Sequence, residues 1–309
     1  MAENERQRLA SLKRNLSRRA RVYAHVRSFF NERGYLEVET PVRVPEVAPE
    51  PHIVPLASED WFLSTSPELQ MKRLLAAGYH QIFQISRCFR RGERGRWHNP
   101  EFTMLEWYRA GADYRQIVDE VADLVAAVAV GLGQWPRLSF QGRDIDLSRP
   151  WHTIAVRDAF LQNAGWDPVA QADEVRFDVD LVTKVIPAFP PDRPTILLDY
   201  PAAMASLARI KAGAEGVAER AEVFIGGLEL ANIYSELTRA AEQEKRFREA
   251  AAQIFQEHSR TAVMPQKFLD ALAALPACGG VALGLDRLVM LVCNACSIDE
   301  VMPFTADTL

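Results

Sequence analysis

Apolar residues recur at the three-to-four-residue spacing of an amphipathic helix in two long stretches, residues 18–32 and 114–130. A third helix is predicted to begin at residues 66–68, which read Ser-Pro-Glu, because serine caps free N–H groups and proline fits the first turn. A mostly polar helix over 238–258 and an apolar helix over 285–292 complete this pattern. Helices with one apolar face need a second layer to cover that face.

Short apolar runs bounded by glycine, proline or polar residues predict strands. These runs are 35–40, 61–64, 81–89, 101–108, 195–200, 222–231 and 279–284. Gly226 and Gly227 are predicted to form a turn or a bulge inside the sixth run. Most of these strands are joined by hairpins or long excursions, so we predict an α+β fold with an antiparallel sheet flanked by helices.

The segment from about 132 to 194 differs from the rest of the chain. It contains several prolines and aspartates and only short apolar runs. We predict that it is an accessory helical insertion in a single domain that spans residues 1–309.

Composition and charge exclude several classes of protein. The net charge of −5 gives no overall basic field, so binding of nucleic acid by the whole surface is not expected. No run approaches the roughly 20 apolar residues of a membrane span. The charged start of the chain lacks the apolar core of a secretory signal, so we expect a cytoplasmic protein without a membrane partner. Cys293 and Cys296 have metal-like spacing, but nothing completes a zinc site, so reduced cysteines are expected.

The loop between the predicted strands 81–89 and 101–108 is unusually basic. Residues 90–99 contain four arginines, two glycines, a histidine and an asparagine. Arginine forks match phosphate oxygens, and glycine lets the backbone approach a ligand. From composition alone a solvated hairpin turn is the simpler interpretation. A phosphate-binding loop is favoured only if other parts of the chain also indicate a bound anion.

Two other features point to a bound polyanion. Arg287 lies at the start of a predicted helix, where a cation and free N–H groups favour an anion. Glu229 lies in an otherwise apolar strand, where a carboxylate has to be paired, hydrogen-bonded or bound to a metal. Glu68 and Glu236 are further acids, although a helix dipole alone can explain Glu68. Arginines with Mg²⁺ hold nucleoside triphosphates in proteins that lack a phosphate-binding glycine loop, and no such loop occurs here.

Three ordered segments resemble the motifs of a class II aminoacyl-tRNA synthetase catalytic core of the lysyl type. Residues 34–41, which end in proline, resemble the first motif; residues 89–103 resemble the second; and residues 284–287 resemble the third. The resemblance covers most of the chain and implies the antiparallel sheet of that class. The first motif builds a dimer interface in that class, so the resemblance implies a homodimer.

A shorter relative of these synthetases fits the chain better. Lysyl-tRNA synthetases carry an N-terminal OB-fold that reads the anticodon, and only a short stretch precedes residue 18 here, so no such domain is expected. The chain resembles the elongation factor P lysine lysyltransferase family, also in the runs 66–68, 105–108, 229–232 and 280–284. That resemblance implies ATP-dependent activation of (R)-β-lysine, or lysine, and transfer to a lysine side chain of elongation factor P. It implies ATP and Mg²⁺ as cofactors and no stable nucleic-acid partner.

The resemblance also assigns roles to residues. Arg90 and Arg287 are expected to be catalytic, and Glu229 is expected to hold Mg²⁺. The residues expected at ATP are Arg90, Arg91, Gly92, Glu93, Asn99, Glu229, Leu230, Gly284 and Arg287. The residues expected at the amino-acid substrate are Ser66, Pro67, Glu68, Tyr108, Asn232, Glu236 and Ala282.

Three positions bear on specificity. The second motif usually has glutamate where Gly92 stands, so Glu93 or the backbone is expected to read adenine. Ile233 replaces the usual glycine and is expected to narrow or reshape the substrate pocket. Ala282 agrees with the lysyltransferase family, and its methyl group is expected to favour a β-amino acid.

Two alternatives to this function stay open at the level of the sequence. One is an adenylate-forming ligase that acts on tRNA or on another amine. The other is a non-catalytic regulator, although such a protein would be expected to lose at least one of Arg90, Glu229 and Arg287.

Overall fold

An eight-stranded sheet organises the computed structural model, which describes residues 3–309. The strands are β1 (Leu36–Glu37), β2 (Arg43–Val44), β3 (Ala57–Ser58), β4 (Trp61–Leu63), β5 (Gln81–Phe89), β6 (Glu101–Ala110), β7 (Arg137–Phe140), β8 (Arg143–Asp146), β9 (His152–Ala155), β10 (Thr195–Pro201), β11 (Val217–Ile225), β12 (Leu228–Ser235) and β13 (Cys278–Gly284). The order in the main sheet is β1-β5-β6-β13-β12-β11-β10-β9. The five inner pairings from β5 to β10 are antiparallel, and the edge strands β1 and β9 pair in parallel. The predicted α+β fold class is confirmed.

Helices cover both faces of this sheet. They are α1 (Glu3–Ser11), α2 (Lys13–Glu32), α3 (Glu68–Ala76), α4 (Tyr114–Gly131), α5 (Val156–Asn163), α6 (Glu174–Asp180), α7 (Ala240–His258), α8 (Gln266–Ala271) and α9 (Leu285–Cys293). Helices α2, α4 and α9 pack on one face and enclose the largest apolar core. Helices α3, α7 and α8 cover only one end of the opposite face, around a smaller core.

Side-chain alternation separates these two faces. Trp107, Val281 and Ile233 are paired neighbours on β6, β13 and β12, and all three are buried in the large core. The residues beside them in sequence point to the opposite face, because successive side chains of a strand alternate. That opposite face is partly uncovered, and it carries the candidate site.

The predictions for residues 132–194 were wrong in part. The segment contains the hairpin β7–β8, and β9 joins the main sheet beside β10, so it is not a purely helical insertion. In β7 the two apolar residues alternate with two polar ones and are buried, which is a strand pattern only four residues long. Helical structure is confined to α5, α6 and the short turns that follow α6.

Two predicted strands have different bounds in the structure. The run 35–40 is reduced to Leu36–Glu37, because only these residues pair with Ile82 and Phe83 of β5. The run 222–231 is two strands, β11 and β12, joined at Gly226-Gly227. Both glycines have positive φ angles, 61° and 85°, and such angles suit a tight hairpin turn rather than a continuing strand.

Candidate active site

A polar row crosses the open face of the sheet. Glu106 of β6 pairs with Ala282 of β13, Ala282 pairs with Asn232 of β12, and Asn232 pairs with Glu222 of β11. Gln84 of β5 extends the row beyond Glu106. Because the residues of one row point to the same face, four polar side chains from distant parts of the chain meet over a single sheet surface.

Small residues on β13 make room above this row. Gly280, Ala282 and Gly284 alternate along the strand and lie on the open face. A cavity of about 310 Å³ is lined by Ala282 and Gly284, a size within the range of small-ligand sites. A Cβ atom at Gly280 would collide with the Glu236 carboxylate and the Tyr108 ring.

Arg90 and Arg287 form one end of the cavity, which we call the arginine end. The Arg287 guanidinium donates to the Glu229 carbonyl oxygen at 2.7 Å and lies 3.5 Å from the Glu229 carboxylate. Arg90 lies 3.6 Å from the Glu93 carboxylate and faces the ring of Phe102. Two guanidinium groups, on side chains that are about one-fifth exposed, thus line the wall where the sequence predicts phosphate binding.

His98, which sequence reasoning did not assign, belongs to the arginine end. Its Nε2 atom lies 2.7 Å from Arg287 Nη2. Burial and the positive charge of Arg287 lower the pKa of His98, so the imidazole is neutral and its Nε2 accepts this hydrogen bond. The contact orients Arg287 without neutralising it.

A buried ion pair fixes the start of α9 beneath Arg287. The Asp286 carboxylate accepts a hydrogen bond from the Thr103 backbone N–H at 2.6 Å and lies 2.6 Å from the Arg19 guanidinium. Arg19 comes from α2 and Thr103 from β6, so two segments far apart in sequence hold the residue that precedes Arg287. Arg19 was not singled out from the sequence, although it lies three residues before Val22 and seven before Val26, on the buried stripe of α2, and a cation on that stripe was the available signal.

The other end of the cavity, the acid end, is built around a buried lysine. The Lys72 ammonium lies 2.5 Å from the Glu68 carboxylate and 2.5 Å from the Glu236 carboxylate. Burial lowers the pKa of Lys72, but the two carboxylates outweigh burial and raise it overall. Burial also raises the pKa of Glu236 to about 7, despite Lys72 beside it. The protein therefore supplies its own ammonium to the acids that the sequence assigns to a substrate.

Glu106 is the carboxylate at the acid end that Lys72 does not contact directly. It accepts hydrogen bonds from the Ser66 hydroxyl at 2.7 Å and the Tyr108 hydroxyl at 2.9 Å. Burial, and then the negative charge of Glu68, raise the pKa of Glu106 to about 8. Sequence reasoning missed this residue, although an acid inside an apolar strand is the same signal that marked Glu229.

Glu50 reaches the cavity from the loop between β2 and β3. Its carbonyl oxygen accepts from the Ile53 N–H at 3.3 Å, which closes a turn, and its side chain lines the cavity. Within residues 3–309 its carboxylate has no hydrogen-bond or ion-pair partner. Burial, and then the charge of Glu68, raise the pKa of Glu50 to about 7.

Most of the predicted site residues meet at this cavity. Those that line it are Ser66, Glu68, Arg90, Glu93, Asn99, Glu229, Leu230, Asn232, Ala282, Gly284 and Arg287. The Ser66 hydroxyl also accepts from the Glu68 N–H at 3.0 Å, although the residue at the capping position of α3 is Pro67 and not Ser66. Asn232 Oδ1 is buried without a hydrogen-bond partner in the described part of the chain, and a bound ligand can supply the missing donor.

Five predicted residues do not line the cavity. Tyr108 and Glu236 are buried directly behind it, in contact with Glu106 and Lys72 respectively. Pro67 directly precedes α3, and Arg91 and Gly92 lie on the exposed surface of the loop.

Ile233 and Asn99 differ in position or in contacts from what the sequence predicted. Ile233 is fully buried in the large core on the opposite face, so its expected effect on the substrate pocket is wrong. The Asn99 side chain donates to the Glu101 carbonyl and accepts from the Ala306 N–H at 2.9 Å. Asn99 therefore fixes the loop against the C-terminal segment while it lines the cavity.

The described residues meet neither the requirements of a metal site with three protein ligands nor those of a membrane-spanning helix. Across residues 3–309 no three His, Cys, Asp or Glu side chains are grouped to hold a metal ion, and the four cysteines are free thiols. None of the helices in that range has the length and apolar character that crossing a membrane requires.

Comparison with known proteins agrees with this fold. The family model of the tRNA synthetases class II (D, K and N) matches residues 6–308, which gives the class of protein. The chain is 38% identical to the elongation factor P--(R)-beta-lysine ligase of Salmonella typhi, over 95% of each chain. It is 40% identical to the ligase of the same name from Salmonella gallinarum, also over 95% of each chain. The chain therefore belongs to the class II tRNA synthetases and, among them, to the family of these elongation factor P ligases.

Proposed function

We propose that this chain activates (R)-β-lysine, or lysine, with ATP and transfers it to a lysine side chain of elongation factor P. One observation carries the proposal beyond family membership. A single cavity has two arginines at one end and a surplus of carboxylates at the other, on a floor of small residues. A triphosphate and an amino acid with two ammonium groups are complementary to these two ends.

At the arginine end, Arg90 contacts the α-phosphate of ATP and the carboxylate of the amino acid. It holds the two reacting groups together and stabilises the charge that develops at phosphorus. Arg287 holds the γ-phosphate, in the orientation that His98 and the Glu229 carbonyl give it. Glu93, which lines the cavity while Gly92 does not, is the side chain available to read adenine.

Mg²⁺ fits the same end through Glu229. This carboxylate is partly exposed and lines the cavity. Burial, and then the charge of Glu229, raise the pKa of the neighbouring Glu222. Mg²⁺ is usually held by one or two carboxylates together with substrate phosphates, so a closed cage of protein ligands is not needed. The ion would neutralise charge on the triphosphate and on the leaving pyrophosphate.

At the acid end, Asn232 hydrogen-bonds the amino acid and Glu68 pairs with the ammonium group nearer its carboxylate. Glu236 and the Tyr108 hydroxyl, buried behind the cavity, act on the terminal ammonium through Lys72 and Glu106, which they contact. Because Lys72 already neutralises part of the charge of Glu68 and Glu236, the ionised form of Glu106 supplies the additional negative charge. Binding of the substrate ammonium then favours loss of the Glu106 proton.

Ala282 is positioned to influence the choice between α- and β-lysine. It lies between Glu106 and Asn232 in the polar row, and its methyl group takes up space on the cavity floor. A single methyl group typically discriminates by ~1–3 kcal/mol. Ala282→Gly should therefore shift the ratio of kcat/KM values towards α-lysine by about 5- to 150-fold, without loss of ATP binding.

The reaction needs no side-chain nucleophile. The carboxylate oxygen of the amino acid attacks the α-phosphorus, the bond to the β-phosphate oxygen breaks, and pyrophosphate leaves. The acceptor amine then attacks the carbonyl carbon of the adenylate, and AMP leaves. We propose that the active form is a homodimer, which analytical ultracentrifugation of the active protein would test.

Pyrophosphate exchange with α-lysine, (R)-β-lysine and other amino acids tests the first step. Transfer of labelled product to elongation factor P tests the second. Arg90→Ala should abolish exchange, while Arg94→Ala, in the same loop but paired with Asp307 outside the cavity, should retain it. No exchange with any amino acid would refute the proposal, and efficient charging of tRNA with α-lysine would favour a synthetase instead.

A further inference from the structure

A second, wider cavity adjoins the candidate active site. It has a volume of about 930 Å³ and lies between α6, α7 and the open face of the sheet. Five residues line both cavities, namely Glu50, Ile53, Ser206, Asn232 and Tyr234. Glu50 is the only carboxylate in this shared wall, so it is accessible from both sides.

Glu50 also differs from the other acids of the active-site cavity in being unpaired. Each of the others has a cation or a hydrogen-bond donor within reach, and these acids are Glu68, Glu93, Glu106, Glu229 and Asp286. Within residues 3–309 the Glu50 carboxylate has no such partner, so its oxygens are available to an incoming group.

Charged groups from several elements act on Glu50. The negative charge of Glu68 on α3 raises its pKa, and Arg90, Arg220 and Lys72 lower it to a smaller extent than burial raises it. Tyr234 of β12 is the remaining titratable group in the shared wall, and Glu50 in turn raises the pKa of Tyr234. The result is a carboxyl group with a pKa of about 7, the range in which a general base works best at neutral pH.

We propose that Glu50 is the general base of the transfer step, and that the acceptor side chain reaches it through the wider cavity. The inference rests on the proposed function, which supplies an adenylate and an amine acceptor. The acceptor ammonium first loses one proton to solvent. The amine nitrogen then forms a bond to the carbonyl carbon of the adenylate, Glu50 takes a second proton from that nitrogen, and the carbon–oxygen bond to AMP breaks with its electron pair on the phosphate oxygen.

Glu50→Gln tests this assignment, because it keeps the shape of the side chain and removes the base. Pyrophosphate exchange should stay within about twofold of the wild-type rate, since that step needs no base. Transfer to elongation factor P, measured in single turnover from preformed adenylate, should fall about 10²- to 10⁴-fold. Glu46→Gln, in the same loop but outside both cavities, is the matched control and should change neither step.

Two further measurements separate a base from a structural role. Hydroxylamine is a small and strong nucleophile whose attacking nitrogen can lose its proton to water, so its reaction with the adenylate should be equally fast in the wild type and in Glu50→Gln. The wild-type transfer rate should rise with pH with an inflection near 7, as Glu50 ionises, and this inflection should be absent in the variant. Glu50→Asp should recover part of the transfer rate.

The outcomes are distinguishable. Normal transfer by Glu50→Gln, or an unchanged pH inflection, would overturn the assignment while leaving the proposed function intact. A parallel loss of exchange and transfer would show that Glu50 acts in amino-acid binding or folding, and this would also overturn it. A wild-type protein that exchanges no amino acid would instead refute the proposed function itself.

Discussion

Replacement of Glu106 by glutamine should change stability and activity in opposite directions. Glu106 is fully buried, and its pKa is raised from an ordinary 4.5 to about 8, mainly by burial. When the pKa of a carboxyl group is higher in the folded than in the unfolded protein, the folded state binds the proton more tightly. Such a group favours folding most below the unfolded pKa and least above the folded pKa. The stability of the wild type should therefore fall as the pH rises from about 4.5 to about 8, and then level off.

The size of the Glu106 pKa shift determines how much the unfolding free energy changes with pH. A difference of about three and a half pH units corresponds to about 4–5 kcal/mol of unfolding free energy, since each unit is worth about 1.4 kcal/mol. The glutamine variant carries no charge at any pH and loses at most part of the hydrogen bonding with Ser66 and Tyr108, about 1 kcal/mol. We expect it to be within about 1 kcal/mol of the wild type at pH 5 and about 3–5 kcal/mol more stable at pH 8.5.

Denaturant unfolding of both proteins at pH 5, 7 and 8.5 measures this difference directly. The same variant should raise the KM for the amino acid about 10- to 150-fold, because a hydrogen bond to a charged group is worth about 1.5–3 kcal/mol. A stability difference that does not change with pH would refute the reasoning. Glu120→Gln is the control, because Glu120 is paired with Arg109 on the other face of β6 and its loss should destabilise at every pH.

Three other predictions concern the acid end. Lys72→Met should destabilise the protein by about 3–5 kcal/mol in denaturant unfolding at pH 8, because it leaves ionised Glu236 buried without a cation; an unchanged midpoint would contradict this. Gly280→Ala should raise the amino-acid KM about tenfold or more through its collision with Glu236, whereas Gly284→Ala, where the added Cβ meets its nearest neighbour at 3.4 Å, should affect it less. Amino-acid binding at pH 7 should release a proton from Glu106 and tighten as the pH rises towards 8; calorimetric heats that are independent of the buffer would argue against it.

The sequence predicted the parts of the site that local pattern determines. The glycine-bounded strand β13 runs directly into the apolar helix α9. This local pattern is sufficient to predict that Gly284 ends the strand and that Arg287 lies in the first turn of the helix. The basic loop was located in the same way, since it interrupts two apolar strands. These features are readable because each depends on neighbours along the chain.

The rest of the site depends on partners that are distant in sequence. The spacing of α3 places Lys72 on the buried stripe with Leu69 and Leu75, but it does not show how the ammonium is paired, because the partner Glu236 belongs to another segment. Glu50 lies in a proline-rich loop with no periodicity, so the direction of its side chain could not be predicted. Ile233 was assigned to the pocket by resemblance, but the alternation of β12 places it on the core face.

The small residues Gly280, Ala282 and Gly284 mark evenly spaced positions along the open face of β13. From Gly284 to Gly280 a strand advances about 13–14 Å, with one open-face position every second residue. Gly284 lies beside Arg287, Ala282 lies between Glu106 and Asn232, and Gly280 lies beside Glu236. Side-chain volume at Ala282 therefore sets the free height above the cavity floor separately from charge. This one position can be varied while the arginines, the acids and Lys72 stay as they are, whereas a side chain at Gly280 would displace Glu236.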